Sequence, residues 1–161
     1  GKGANRKAIS IIRHSVDVRQ QIPDRIAEFI KSSQIASLCF LESRRIPWCF
    51  NCFYSFDPER QLLVFKSGED SIHGSQLCAG VLIAGTIHSN PLQPANIQGV
   101  QFSGVIVSPD SYAEAPERIY QDRFPYSDQL TGRFFFVQLQ YLKFTDNTRK
   151  FGEKVHWGSR N

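Results

Sequence analysis

The chain has 161 residues, 41% of them hydrophobic and 21% charged, with a formal charge of +4 and a pI near 9.0. That size supports one core, and that balance excludes an intrinsically disordered chain, a collagen-like repeat and a disulfide scaffold. No run approaches the ~20 apolar residues needed to cross a bilayer, and so small a charge surplus does not single out nucleic acid or a membrane as a partner.

Residues 1–17 read as an N-terminal extension, disordered or extraneous to the fold, and 18–161 as a single domain. Lys2, Arg6, Lys7 and Arg13 interrupt every apolar stretch at the start, so no secretory signal is expected and a cytoplasmic location is. Val18, Ile22, Ile26, Phe29 and Ile30 recur at helical spacing and predict an amphipathic helix of about three turns, with Pro23 near its first turn. Ile35 to Glu42 and Trp48 to Phe56, joined by the polar tip Ser43-Arg44-Arg45, predict a β-hairpin; Trp48, Phe50, Cys52, Tyr54 and Phe56 share one parity and Asn51 the other.

Asp57 to Arg60 is a turn, and Leu62 to Lys66 a third strand. Gly68 to Ser71 offers cap residues ahead of a short helix over Ile72 to Cys78, ended by Gly80. Val81 to Ile87 and Ile97 to Val107 are the fourth and fifth strands, separated by a loop holding Pro91 and Pro94. Ser108-Pro109 signals a helix start, with Tyr112 to Arg123 helical until Phe124-Pro125. Phe134 to Phe144 is the sixth strand, and Thr145 to Trp157 carries little regular pattern. The fold class is therefore mainly β, a six-stranded antiparallel barrel with peripheral helices, since closure removes the edges that an open aromatic sheet would expose.

The four cysteines, Cys39, Cys49, Cys52 and Cys78, are expected to be reduced and mostly buried. Cys49 and Cys52 make a CxxC, but positions i and i+3 of a strand point to opposite faces, which argues against a shared metal; no metal site is expected. His14 and His88 have no ligand-type neighbours at suitable spacing, and no nucleophile elbow of the GxSxG kind occurs, so no catalytic residue is assigned.

The blocks Trp48 to Asp57, Gly99 to Gly104, Arg123-Phe124-Pro125 and Lys143-Phe144-Thr145-Asp146-Asn147-Thr148, with Phe151-Gly152 and Trp157, resemble the YhbP-like family of uncharacterised bacterial proteins. That family resembles in turn the pyridoxamine 5'-phosphate oxidase-like split barrels. The resemblance implies an FMN-binding split barrel, a homodimer with the cofactor at its interface, and a flavin-dependent oxidoreductase acting on a small molecule. A non-catalytic flavin- or haem-binding module is the alternative.

In the wider superfamily a hydroxyl at the end of the third strand, a serine four positions on and a lysine six positions on bind the flavin phosphate; Ser67, Ser71 and His73 stand at that spacing here. A strand end and a capped helix start suit a dianion on physical grounds too. Lys66 would add charge if it faces the site, Asn51 lies on the strand where a split barrel passes the ring, and Trp157 resembles a C-terminal aromatic that packs on flavin. Ile72, His73 and Gly99 replace the arginine, lysine and glutamine frequent in the superfamily. Cap, turn and core roles stand beside these readings: Tyr54 as core packing, Trp157 as a staple of the barrel, and Asp146, Asn147 and Thr148 as a bonded turn.

Overall fold

The computed structural model describes residues 20–160, so the extension over 1–17, His14 and Val18 lie outside the described residues. Seven strands form one antiparallel sheet: β1 (Ile35–Leu41), β2 (Pro47–Asp57), β3 (Leu62–Ser67), β4 (Leu82–His88), β5 (Gln98–Val107), β6 (Arg133–Asp146) and β7 (Lys154–Gly158). They lie in the order β3-β2-β1-β4-β5-β6-β7, and pairing of β3 with β6 closes the first six into a barrel. The expected six-stranded barrel is thus present.

The seventh strand corrects the reading of the tail as patternless. β6 runs 14 residues; residues 133–138 pair with the short β3, 136–146 with β5 and 141–145 with β7. β3 and β7 therefore follow one another along the same edge of β6, and β7 covers donors and acceptors that β3 is too short to reach. The β5–β6 ladder shifts register at Ser103/Gly104, where a Cβ on Gly104 would stand 2.5 Å from the Gln138 carbonyl oxygen, so the backbones approach too closely for any side chain.

Helix α1 (Asp24–Ser32) is shorter than periodicity predicts, because Pro23 takes the N-cap position and leaves Ile22 buried ahead of the helix. Its Ile26, Ala27, Phe29 and Ile30 join Leu38, Tyr54, Phe65, Leu139 and Phe144 in the main core. Helix α2 is Ile72–Gln76, and α3 covers only Arg118–Arg123. The expected start at Ser108 is a single 3-10 turn, Pro109–Ser111, capped by Ser108, and a second such turn, Pro125–Gln129, follows α3. A small second core of Leu62, Val64, Tyr120 and Phe136 forms on the outer side of β3 and β6. Among the described residues no helix is long and apolar enough to cross a membrane.

Candidate functional site

Alternation along β3 decides which side chains reach the strand's end together. Ser67 closes β3 opposite Arg133 of β6, and the turn after it brings Ser71 to the N-cap of α2. The Ser71 hydroxyl donates to the Gly68 carbonyl at 2.8 Å and accepts from the Gly74 N–H at 2.9 Å. A Cβ on Gly74 would lie 1.9 Å from the Gly68 oxygen, so this turn closes only around a glycine. From the first turn of α2, His73 reaches back until its Nε2 is 2.6 Å from Ser67 Oγ. Its ring stacks on Phe50, centroids 3.8 Å apart and planes within 4°.

The protonation pattern follows from burial. His73 Nδ1 is buried without a partner, and burial lowers the imidazole below its ordinary value of 6.5, so the ring is neutral near pH 7. In the tautomer that leaves the buried Nδ1 as a bare lone pair, the proton sits on Nε2 and the ring donates to Ser67 Oγ. The Ser67 O–H is then available to a ligand. The backbone N–H groups of Ile72 and His73, first-turn donors of α2, have no acceptor among the described residues. Arg133 adds a permanent cation: its Nη2 donates to the Gly74 and Leu77 carbonyls at 3.4 and 3.2 Å, and its guanidinium lies 4.7 Å from the Phe135 ring centroid. A cleft of about 400 Å³ opens beside it, lined by Leu77, Cys78, Ile106, Ser108, Arg133 and Phe135 among others.

Ser67, Ser71 and His73 are therefore brought together, and the other candidates are placed elsewhere. Lys66 points to the opposite face, where Nζ donates to the Ser127 carbonyl at 2.7 Å and sits over Phe134. Trp157 is buried in the main core, its Nε1 donating to the Gln20 carbonyl at 2.8 Å, which is the staple role. Asn51 faces outward, accepting from Ser37 Oγ at 2.7 Å, in a polar cleft of about 600 Å³ that Thr86, His88 and Ser89 also line. Because Phe50 and Asn51 are adjacent in one strand, the His73 cluster and the Asn51 cleft lie on opposite faces of β2. Arg133 and Phe50 went unread as site residues; no local spacing links either to Ser71, and only barrel closure does.

The remaining motifs resolve into structure. Asp146 accepts from the Thr148 N–H and hydroxyl and pairs with Arg25 at 3.2 Å, while Asn147 accepts from the Gly152 N–H. Tyr54 is a core residue whose hydroxyl donates to the Ile30 carbonyl; burial drives its pKa up. Cys49 is exposed while Cys52 packs against the core with its thiol pushed up to about 12 by burial, so the two do face apart. The expectation of mostly buried thiols fails for Cys49 and Cys78, both exposed, and Cys39 is half-buried. Among the described residues no cluster of His, Cys, Asp and Glu could hold a metal ion.

No family model matches the chain. Over 134 residues it is 34% identical to a UPF0306 protein of Klebsiella pneumoniae subsp. pneumoniae, an alignment covering 82% of this chain and 90% of the relative. It is 32% identical over 133 residues to the UPF0306 protein YhbP of Salmonella schwarzengrund, with the same coverage. Its fold is shared with a heme binding protein from Mycobacterium smegmatis, at TM-score 0.63 and 17% identity, covering 81% of this chain and 55% of that one. The FAD binding protein from Mycobacterium smegmatis follows at TM-score 0.57 and 12% identity, covering 73% and 90%. These solved structures are like the chain in fold.

Proposed function

We propose, from the premise that the chain belongs to the UPF0306 (YhbP) family, that it binds flavin mononucleotide between two copies of itself and serves as a flavin-dependent oxidoreductase for a small molecule. One observation carries this reading: at the β3–α2 junction the Ser67 hydroxyl, held by His73, stands beside the unpartnered N–H groups of Ile72 and His73. Those groups suit a phosphate, each charge-assisted bond contributing roughly 1.5–3 kcal/mol. Arg133 supplies the fixed charge that a neutral His73 lacks.

When bound, the flavin supplies hydride or electron transfer, and the chain's own residues bind it, orient it and exclude water. The second copy is inferred from the two faces of β2: one chain presents the phosphate cluster and the Asn51 cleft on opposite sides, so two chains are needed for both to meet one ligand.

The test is titration with FMN and with riboflavin, which lacks the phosphate, in phosphate-free buffer, read by flavin fluorescence and size-exclusion chromatography. FMN should bind roughly 10- to 100-fold more tightly, the factor equivalent to one such bond, and Ser67→Ala should narrow the gap. Equal binding of the two flavins, or none by either, would refute the phosphate site.

A haem-binding module is the second reading. His88 Nδ1 lies 2.7 Å from the Ser89 carbonyl, so that nitrogen carries the proton and Nε2 keeps a lone pair at the rim of the outer cleft, as a metal ligand requires. A Soret shift with haemin that disappears in His88→Ala, without FMN binding, would select it.

A further inference from the structure

Outside the candidate site, two thiols face each other across the hairpin that ends at Ser43 to Ile46. Cys39 of β1 and Cys49 of β2 are direct register partners, with Ser37 opposite Asn51 on one side and Leu41 opposite Pro47 on the other. Cys49 is exposed and Cys39 half-buried. Directly opposed residues of an antiparallel pair have Cα atoms roughly 4.5 or 5.5 Å apart, and both spacings fall within the range of about 4.4–6.8 Å that a disulfide bridges. The pairing sets the two side chains on the same face of the sheet, and the neighbouring Cys49 thiol, followed by burial, raises the Cys39 thiol above its ordinary value. Cys52, the other cysteine of the CxxC, lies on the inner face, as strand alternation predicts, and is not the partner.

We infer that Cys39 and Cys49 form a reversible oxidation site, a cross-strand dithiol that a hydroperoxide converts to a disulfide without backbone rearrangement. The exposed Cys49 sulfur, as thiolate, attacks one peroxide oxygen; an S–O bond forms, the O–O bond breaks, and the departing hydroxide takes a proton to become water. The Cys39 sulfur then attacks the Cys49 sulfur, the S–S bond forms and the S–O bond breaks, and the Cys39 proton leaves with that oxygen as a second water. Two thiols lose two electrons and two protons in all, and one peroxide becomes two waters. A small thiol reverses the step by exchange. The bridge ties the neck of the hairpin one residue from Phe50, which stacks on His73. The inference does not depend on flavin binding.

The experiment uses the full reduced chain with equimolar hydrogen peroxide, then thiol alkylation and tryptic mapping without reduction. Cleavage at Arg44 and Arg45 separates the two halves of the hairpin. Two of the four free thiols should be lost, with the Cys39 and Cys49 peptides joined, fragmentation placing the bond on Cys49 and not on Cys52 of the same peptide, and dithiothreitol restoring all four. Cys78→Ser should leave the bridge intact, and Cys39→Ser should leave a Cys49 sulfenic acid that dimedone traps. Retention of all four thiols, a bond to Cys52, Cys78 or a second chain, or direct passage to sulfinic acid would overturn the assignment.

Discussion

Asp146 offers the sharpest test of how the C-terminal segment is held. Its side chain is 6% exposed and serves two loads at once: one oxygen accepts from the Thr148 N–H and hydroxyl, and the other pairs with Arg25, which also holds Glu153 at 2.9 Å. Asp146→Ala removes the acceptor of both Thr148 bonds, costing about 1–3 kcal/mol for the two at roughly 0.5–1.5 kcal/mol each. Its loss of the Arg25 contact adds less, about 0.5–1 kcal/mol, since Arg25 is 28% exposed and keeps Glu153. The sum is about 1.5–4 kcal/mol. Asp146→Asn keeps the acceptor for Thr148 and should cost only about 1 kcal/mol, the charge term alone.

Acid sensitivity separates the two loads. Burial raises the Asp146 pKa, but the Thr148 bonds and Arg25 outweigh it and hold the carboxyl below its ordinary 3.8. The folded state thus binds the proton less readily than the unfolded one; the stabilisation is complete above about 3.8 and drains as pH falls towards the folded value. Urea denaturation of wild type and both variants from neutral pH into this range measures each quantity. A cost for Asp146→Asn equal to that of Asp146→Ala would refute the assignment of the larger share to the turn.

Three other outcomes are expected. His73→Phe keeps the stack on Phe50 and removes a group that burial holds below 6.5; wild-type stability, full above about 6.5, should fall as pH drops below it, and thermal melts of the variant should lack that slope. Gly74→Ala should destabilise by about 1–3 kcal/mol in urea and abolish the FMN preference over riboflavin, because its Cβ meets the Gly68 oxygen; a neutral result would mean the turn opens freely. Trp157→Phe should cost about 0.5–1.5 kcal/mol for the lost bond to Gln20 and leave flavin affinity unchanged, whereas a large affinity loss would return Trp157 to the ligand.

Local pattern by itself determined most of the barrel. Period-two alternation from Trp48 to Phe56, turn chemistry at Asp57 to Arg60 and the prolines at 91 and 94 each bear on a few neighbouring residues, and each gave the observed strand or break. The same alternation contained the fate of Lys66, since a strand that aims Ser67 at α2 turns its neighbour away. The Ser67, Ser71 and His73 spacing was legible because all three sit within one strand end, turn and helix start.

Tertiary structure alone decided the rest. β7 exists because β3 is shorter than β6 and leaves an edge to fill, a length mismatch between segments far apart in sequence. Arg133 reaches α2, and Cys49 meets Cys39 rather than Cys52, through pairings of register that spacing along one strand cannot express. Trp157 became a core staple because β7 carries it over the barrel to the Gln20 carbonyl. Sequence periodicity reports which face a side chain takes; which partner waits on that face is fixed only when the sheet closes.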